Sequence, residues 1–391
     1  MIKIKELSVK LSKVELSSTL MISAKARELR KEGQDVIDLS IGEPGLVLKT
    51  EIKDAGKKAI DDNKNTYTPV AGIPELKRAI IKKLKRDNNL DYTENEIIIS
   101  TGAKQSLFNL IGVLANPGDE FILIKPYWVS YADQIKYFDA VPVIAECTNS
   151  LGIRSDCIEQ KITEKTKAII LNSPCNPSGA VIEEEELKKI SELAVKNDLY
   201  VISDEIYEYL IYEGTHKSIA DYGEDVKKRT IIINGCSKAH SMTGLRVGYA
   251  AGPSNIIKLM ENFQSQVTSG PNSVSQYMAV EALGLTRDDY RHEINEFKNK
   301  RNWVISELES CGIKTEGANG AFYIFFKIPG DANSEEFCKK LLHEEKLALV
   351  PGIAFGMEGY VRISYASDIN TIRKGLERLK RFLNAWCAHN N

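Results

Sequence analysis

The sequence has few of the patterns that mark secreted, metal-binding or membrane proteins. Its seven cysteines are scattered, odd in number and without a CxxC pair, and its five histidines show no HExxH or similar ligand spacing. These absences favour a reducing compartment and argue against a disulfide framework and a metal site. No stretch approaches the roughly 18 apolar residues of a membrane span, and the charged N-terminus has no apolar signal core. We therefore expect a cytoplasmic protein without a metal ion or a membrane partner.

A strong excess of one charge is also missing. The formal net charge is −2, and the basic run at residues 82–86 alternates with apolar positions, as on a solvated helix face. Neither feature favours nucleic acid as a partner. With 391 residues, of which 43% are hydrophobic and 27% charged, the chain suits a globular enzyme subunit with a sizeable core.

From residue 97 onward the sequence repeats one unit, a short apolar run followed by a turn and then a helical period. The runs lie at residues 97–99, 121–124, 168–171, 200–203 and 230–233. Strands that alternate with helices predict a mostly parallel sheet covered by helices on both faces. After Pro253 the pattern becomes that of a smaller α+β part. We expect a large domain at residues 45–288 and a small domain formed by residues 1–44 together with 289–391.

Unusual residues follow each of the predicted strands. They are Gly102, Trp128, Asn176, Asp204 and Lys238. In open α/β sheets, ligands bind beyond the carboxyl ends of the strands. The sequence therefore predicts one shared site built from these strand ends.

Lys238 follows the buried run at residues 230–233 across a turn of small residues, and Arg246 lies eight positions further on. A lysine held there can be partly desolvated, which lowers its pKa and frees the nucleophilic amine. An arginine offers a planar fork for a phosphate. A lysine with a phosphate anchor is what a pyridoxal phosphate (PLP) Schiff-base site requires. From spacing alone, a surface lysine and a surface arginine fit equally well.

Two further groups of residues have both a functional and an ordinary structural explanation. Asp204 could pair with the pyridine nitrogen of PLP and Tyr207 could donate to the ring oxygen, or they are a helix N-cap and a core tyrosine. The turn of Gly102, Ala103 and Lys104 could bind an anion at a helix N-terminus, or it is a common strand-to-helix turn.

For three more side chains, the local sequence pattern fits a functional role and a purely structural role equally well. Trp128 could stack on an aromatic cofactor or lie in the core. Asn176, which precedes a proline, could present its amide to a ligand or belong to a turn. Arg362 alternates with apolar neighbours in a predicted strand and could grip a carboxylate bidentately, or it is a surface arginine.

Eight motifs follow one another along essentially the whole chain. They are IGEP, TGAKQ, PYWVSY, NSPCNPSG, SDEIY, SKAHSMTGLRVGY, GAFY and VRISYA. Together and in this order they resemble the class I and II aminotransferases of PLP fold type I. The resemblance implies a mostly parallel sheet between helices with a smaller α+β domain, and a homodimer with its active site at the subunit interface. It also implies a ping-pong exchange of an amino group between an L-amino acid and a 2-oxo acid.

The same resemblance implies roles at the cofactor. Lys238 would carry PLP as a Schiff base and act as the base, while Asp204 would pair with the pyridine nitrogen. Tyr207 and Asn176 would contact the ring oxygen, and Trp128 would stack on the ring. The phosphate would be held by a larger set, namely Ser237, Arg246, the turn of Gly102, Ala103 and Lys104, and Tyr67 of the partner subunit.

Substrate roles are implied as well. Arg362 would bind the α-carboxylate together with Asn176 and Trp128, and Gly42 would close over it through its backbone. Within the family the likeness is to the bacterial aspartate aminotransferase subgroup that includes prephenate aminotransferases. There a lysine recognises the distal carboxylate, which would be Lys104 here, accompanied by a threonine, which would be Thr19.

The expected reaction is aspartate plus 2-oxoglutarate to oxaloacetate plus glutamate. Alternatives are prephenate, aromatic or alanine-type substrates, a PLP-dependent β-eliminating lyase, or a non-catalytic PLP sensor. Three departures from the family pattern bear on specificity and cofactor binding. Residues 45–50 replace an acidic-aromatic run, Gly235 stands where many members have a phosphate-binding serine, and Leu245 replaces a common tryptophan.

Overall fold

The structure, a computed structural model, describes residues 8, 18–147, 151–330 and 332–390. Its helices are α1 (Ser18–Lys31), α2 (Thr50–Asp61), α3 (Pro74–Asn88), α4 (Ala103–Leu114), α5 (Ser130–Tyr137), α6 (Ser155–Glu159), α7 (Glu184–Lys196), α8 (Glu224–Lys227), α9 (Ser254–Val267), α10 (Ser273–Gly284), α11 (Arg291–Glu309), α12 (Ser334–Glu345) and α13 (Ile369–Asn390). Its strands are β1 (Ile37–Asp38), β2 (Ile97–Thr101), β3 (Glu120–Lys125), β4 (Val141–Glu146), β5 (Thr166–Asn172), β6 (Tyr200–Asp204), β7 (Thr230–Gly235), β8 (Val247–Ala251), β9 (Tyr323–Lys327), β10 (Leu347–Ala348), β11 (Val350–Pro351) and β12 (Tyr360–Ser364).

A seven-stranded sheet in the order β2-β8-β7-β6-β5-β3-β4 forms the centre of the larger part. The neighbours from β7 to β4 pair in parallel, whereas β8 is antiparallel to both β2 and β7. The prediction of a mostly parallel sheet is confirmed. Strand β8 was not predicted, because it is short, contains Gly248 and two alanines and therefore lacks a β-branched run.

Alternate residues of the strands enter cores on opposite faces of this sheet, as the period of two requires. In β7, Ile231 and Ile233 pack with Leu110 of α4, whereas Ile232 packs with Leu76 of α3 on the other face. Because both faces are covered, the strands can be apolar along their whole length. This burial fixes the strand ends and therefore the residues that follow them.

The helices that cover the sheet begin and end at residues suited to those positions. Helix α3 has Pro74 at its start, where the missing N–H of proline has no partner to lose. It ends at Asn89, which has φ 57° in the left-handed region. Helix α7 carries three glutamates in its first turn, which interact favourably with the positive end of the helix dipole.

A smaller part holds a three-stranded antiparallel sheet in the order β11-β12-β9. Phe322 and Ile324 pack with Phe297 of α11 and Leu376 of α13 in one core. Strand β1, near the start of the chain, pairs in parallel with β10. The described N-terminal residues thus contact the C-terminal part, as expected, while the domain boundaries at residues 44/45 and 288/289 stay a prediction.

Cys147, after β4, and Cys157, in α6, form a disulfide with their Cα atoms 5.4 Å apart. The scattered cysteines predicted no disulfide framework and gave no sign of this bond. A pair ten residues apart comes together only because α6 folds back beside β4, which the spacing of the cysteines does not reveal. The other five cysteines are free.

None of the helices in the described ranges is both long and apolar enough to cross a membrane.

Candidate active site

A cavity of about 400 Å³ opens where β2, β5, β6 and β7 end. Most of the candidate residues line it, and they come from strand ends, from the start of α4 and from the smaller part. The predicted residues among its lining are Gly42, Ala103, Lys104, Trp128, Asn176, Asp204, Tyr207, Ser237, Lys238, Arg246 and Arg362. The structure thus brings together side chains that are up to 320 positions apart in sequence (362 − 42).

Among the candidates that the structure fully describes, Gly102 and Tyr67 do not line this cavity. Gly102 directly precedes the lining residue Ala103 and is the N-cap of α4. Tyr67 is 98% exposed on the surface of the chain, so it does not contribute to the site of its own subunit. Thr19 lies in α1, but its side chain is outside the part of the chain that the structure describes.

Lys238 is held in the cavity by the turn after β7. Its Nζ donates a hydrogen bond to the carbonyl oxygen of Gly42 at 2.6 Å. Burial, together with the nearby charge of Arg362, lowers the pKa of Lys238 to about 8. The backbone is closely packed where this turn begins: a Cβ at Gly235 would lie only 2.7 Å from the carbonyl oxygen of Val247, so a larger residue does not fit there. Lys238 is therefore a half-buried amine that can lose its proton near pH 8.

Asp204 ends β6 and is buried. Its Oδ2 accepts a hydrogen bond from the Tyr131 hydroxyl at 2.7 Å, and its Oδ1 accepts one from the N–H of Ile206 at 3.3 Å. Burial nevertheless raises the pKa of Asp204 to about 6. A buried carboxylate is stabilised by a nearby cation, and the protonated nitrogen of a PLP ring in the cavity would supply one. The acid therefore fits this cofactor.

The turn before α4 and the side chain of Arg246 form one end of the cavity. Gly102 has φ 85°, and a Cβ there would lie 2.4 Å from Nη2 of Arg246. Arg246 donates from Nη1 to the carbonyl oxygen of Thr243 at 2.8 Å. A helix N-terminus offers free backbone amides to an anion, and Arg246 adds a charged fork. This end is suited to a phosphate.

Arg362 is buried and reaches the cavity from β12, so it is not a surface arginine. It donates from Nη1 to Oδ1 of Asn176 at 2.8 Å and from Nη2 to the carbonyl oxygen of Ser40 at 2.5 Å. Its guanidinium lies 4.3 Å from the centre of the Tyr323 ring. Its Nε has no hydrogen-bond partner among the described residues. A carboxylate in the cavity could satisfy this donor.

Lys104 and Trp128 lie together at the same site. The Nζ of Lys104 is 4.8 Å from the centre of the indole ring. Burial lowers the pKa of Lys104, and the charge of Arg246 lowers it further. Trp128 is only partly buried. It packs against the core that contains Tyr131 and also lines the cavity, so its ring is available for stacking.

The lining residues that were not among the candidates include Tyr131, Asn172 and Tyr323. Tyr131 binds Asp204, as described above. Asn172 donates to the carbonyl oxygen of Asp204 at 3.1 Å and accepts from the N–H of Asn176 at 2.8 Å. Tyr323 shares a hydrogen bond with the Tyr207 hydroxyl at 3.0 Å. Their signal was present, because they lie within the PYWVSY, NSPCNPSG and GAFY motifs.

Within the described ranges, one group of potential metal ligands is formed by Glu205, Glu208 and His216. Glu205 already accepts from Ser218 at 2.7 Å and contacts His216 Nε2 at 3.0 Å, and Glu208 pairs with the buried Lys83. The carboxylates of this group are therefore engaged in buried ion pairs and hydrogen bonds. The prediction that the protein needs no metal stays a prediction.

The sequence model of the family described as "Aminotransferase class I and II" matches residues 34–379. The chain belongs to this family of aminotransferases. Such enzymes are PLP-dependent transaminases, so the predicted family, activity and cofactor are confirmed.

Similar proteins and solved structures agree with this assignment. The aspartate aminotransferase of Bacillus sp. (strain YM-2) is 44% identical over 377 residues, covering 94% of this chain and 96% of that protein. The aspartate/prephenate aminotransferase of Thermus thermophilus is 39% identical over 382 residues, covering 96% and 98%. The structure of the Thermus thermophilus aspartate aminotransferase with maleate has a TM-score of 0.92 at 37% identity, covering 97% of this chain and 100% of that chain. The aminotransferase therefore has the predicted fold type I.

Proposed function

We propose that this aminotransferase moves the amino group of L-aspartate to 2-oxoglutarate, giving oxaloacetate and glutamate by a ping-pong mechanism. The observation that carries the proposal is the presence of two cations in the lining of the cavity beside Lys238, the buried Arg362 and, nearer the solvent, Lys104. A substrate with two carboxylates can pair with both, whereas an alanine-type substrate leaves one of them without a partner. The names of the similar bacterial enzymes support the same choice.

The cofactor-binding roles are also proposals. PLP, when bound, supplies a ring that accepts electrons from the substrate Cα. Asp204 holds a proton on the ring nitrogen, and Trp128 covers the ring face. Tyr207 and Asn176 donate to the ring oxygen. The phosphate is bound by Arg246, Ser237 and the turn of Gly102, Ala103 and Lys104, which lie at one end of the cavity.

Lys238 both holds the cofactor and moves the proton in this proposal. Its Nζ, as the neutral amine, takes a proton from the substrate Cα and later returns one. Its lowered pKa, about 8, supports this role, because a base with an ordinary lysine pKa would be almost fully protonated at neutral pH.

Arg362 binds the α-carboxylate with Asn176, and the backbone of Gly42 closes over it. The buried Nε of Arg362 supports this role, since it has no partner among the described residues. Lys104 binds the distal carboxylate, with Thr19 beside it. Prephenate is a second candidate amino acceptor, because several similar enzymes carry aspartate/prephenate names.

We further propose a cytoplasmic homodimer with the active site at the subunit interface, and the domain division at residues 45–288. In the dimer, the partner subunit's Tyr67 contributes to phosphate binding. The 98% exposure of Tyr67 in a single chain supports this arrangement. The exposed apolar side chains of Val47 and Ile60, at 80% and 64%, add surface that a partner would cover.

A panel of single half-reactions tests the proposed substrate. The PLP-loaded protein is mixed separately with aspartate, glutamate, phenylalanine and alanine, and its absorbance change is followed without an acceptor. We expect aspartate and glutamate to react with the largest apparent second-order rate constants. Faster conversion of phenylalanine or alanine would overturn the dicarboxylate assignment, and amination of prephenate by protein that has first reacted with aspartate would support the second candidate.

A further inference from the structure

We propose that Tyr131 is a positioning residue that keeps the Asp204 carboxylate ionised and oriented toward the ring nitrogen of the cofactor. This inference rests on the role proposed for Asp204 above. Tyr131 was not among the residues to which the sequence assigned a role. Its contacts link Asp204 and Trp128, the two side chains that would meet different parts of the cofactor ring.

The first contact is the hydrogen bond from the Tyr131 hydroxyl to Oδ2 of Asp204 at 2.7 Å. The distance is typical of a hydrogen bond to a charged oxygen. Tyr131 is 2% exposed, and burial together with the neighbouring carboxylate raises its pKa well above the usual range. The hydroxyl therefore keeps its proton and acts as a fixed donor.

Asp204 depends on such a donor because very little of it is exposed to water. Its relative exposure is 4%, and its other hydrogen bond, from the N–H of Ile206, is longer at 3.3 Å. Lys238 is close enough to favour the anion, but its Nζ donates to the carbonyl oxygen of Gly42. Without the tyrosine hydroxyl, a larger fraction of Asp204 would be in the neutral, protonated form. A neutral acid does not hold a protonated ring nitrogen as a charged partner does.

The second contact is with Trp128. The two rings pack edge to face, with centroids 5.3 Å apart and planes at 85°. The N–H of Tyr131 also donates to the carbonyl oxygen of Trp128 at 3.1 Å. One tyrosine in the first turn of α5 thus fixes the acid at the ring nitrogen and the indole proposed to cover the ring.

The test compares two ligands that differ in one ring atom. Apoprotein is titrated with PLP and with the deaza analogue, in which a C–H replaces the pyridine nitrogen, and both dissociation constants are measured by fluorescence. The variants are Tyr131→Phe and Asp204→Asn. The matched control is Tyr249→Phe, because the buried hydroxyl of Tyr249 has no hydrogen-bond partner among the described residues.

We expect wild type and Tyr249→Phe to bind PLP more tightly than the analogue. Tyr131→Phe should weaken PLP binding about tenfold, as for the loss of a hydrogen bond to a charged group, and leave the analogue affinity unchanged. Asp204→Asn should abolish the preference for PLP. These results together would support the assignment.

Two other results would overturn it in different ways. If Tyr131→Phe weakens both ligands equally while Asp204→Asn behaves as expected, Tyr131 only supports the fold and the inference fails alone. If wild type binds both ligands equally, the role of Asp204 is wrong, and the inference fails with it.

Discussion

Arg362 donates a hydrogen bond to Asn176 at 2.8 Å, which joins β12 of the smaller part to the turn that follows β5 of the large sheet. The two residues are 186 positions apart in sequence. The contact places a buried guanidinium at a cavity lined mainly by strand ends of the other part. The site therefore depends on both parts of the chain.

Replacing Arg362 with lysine should weaken substrate binding and leave the cofactor in place. Lysine keeps the charge but loses the planar fork that matches a carboxylate. Hydrogen bonds to charged groups contribute about 1.5–3 kcal/mol, so kcat/KM for amino acids should fall roughly 10- to 100-fold. Steady-state kinetics with aspartate measure this change, and the PLP absorbance spectrum shows whether the cofactor remains.

Arg381→Lys is the control, because Arg381 pairs with Glu345 at an exposed position. It should leave kcat/KM within twofold of wild type, in keeping with the small contribution of surface ion pairs. An Arg362→Lys variant with unchanged kinetics would show that another group binds the α-carboxylate.

The rate at which apoprotein takes up PLP should depend on the protonation of Lys238. Burial disfavours the ammonium form and lowers the pKa to about 8, so the reactive neutral amine accumulates as the pH rises through about 8. Stopped-flow absorbance from pH 6 to 10 should therefore show an inflection near 8. A rate that shows no inflection near 8 and still rises steeply at pH 10, as an ordinary lysine pKa of about 10.4 requires, would mean that the amine is solvated.

Gly102→Ala should weaken PLP binding through Arg246. The new Cβ would lie 2.4 Å from Nη2 of that arginine, so the guanidinium must move away from the phosphate position. We expect the PLP dissociation constant to rise about tenfold, since displaced charge-assisted contacts are worth about 1.4 kcal/mol or more. Fluorescence titration of the apoprotein measures it.

Gly118→Ala separates this effect from backbone strain. Gly118 has φ 88°, close to that of Gly102, but nothing lies within 4 Å of its added Cβ. Both variants should lose about 1–3 kcal/mol of folding free energy from strain, and only Gly102→Ala should bind PLP more weakly. Equal PLP affinities in the two variants would show that Arg246 does not bind the phosphate from beside Gly102.

Lys104→Met should change the preference between substrates and leave transamination of a substrate with one carboxylate intact. Methionine keeps the length and the helix propensity but removes the charge. We expect kcat/KM for aspartate to fall about tenfold or more and that for alanine to stay unchanged. Lys339→Met, on the exposed face of α12, should affect neither. A parallel loss for both substrates would assign Lys104 to the cofactor instead.

The sequence predicted the parallel sheet and the strand ends well, because Ile-rich runs such as that of β7 can be buried only in a covered sheet. It also placed Lys238, Asp204 and Arg246 at one site through the motifs around them. It could not show that Arg362 is buried, since alternation in β12 indicates opposite faces of a strand but not what covers each face.

Other features depend on tertiary contacts that no local pattern contains. The hydroxyl of Tyr131 reaches Asp204 across 73 positions, and the PYWVSY motif marks Tyr131 as part of the site without showing which residue it binds. The disulfide between Cys147 and Cys157 depends on how α6 returns beside β4. The antiparallel strand β8 has small residues and no β-branched run, so it gave no strand signal.

The most direct test of the proposed reaction is a single turnover of the PLP-loaded protein with L-aspartate in the absence of any amino acceptor. We expect a shift of the cofactor absorbance and about one oxaloacetate per subunit, as a ping-pong half-reaction requires, and no oxaloacetate from Lys238→Ala. A wild-type protein that binds no PLP, or a Lys238→Ala variant that still forms oxaloacetate, would contradict it.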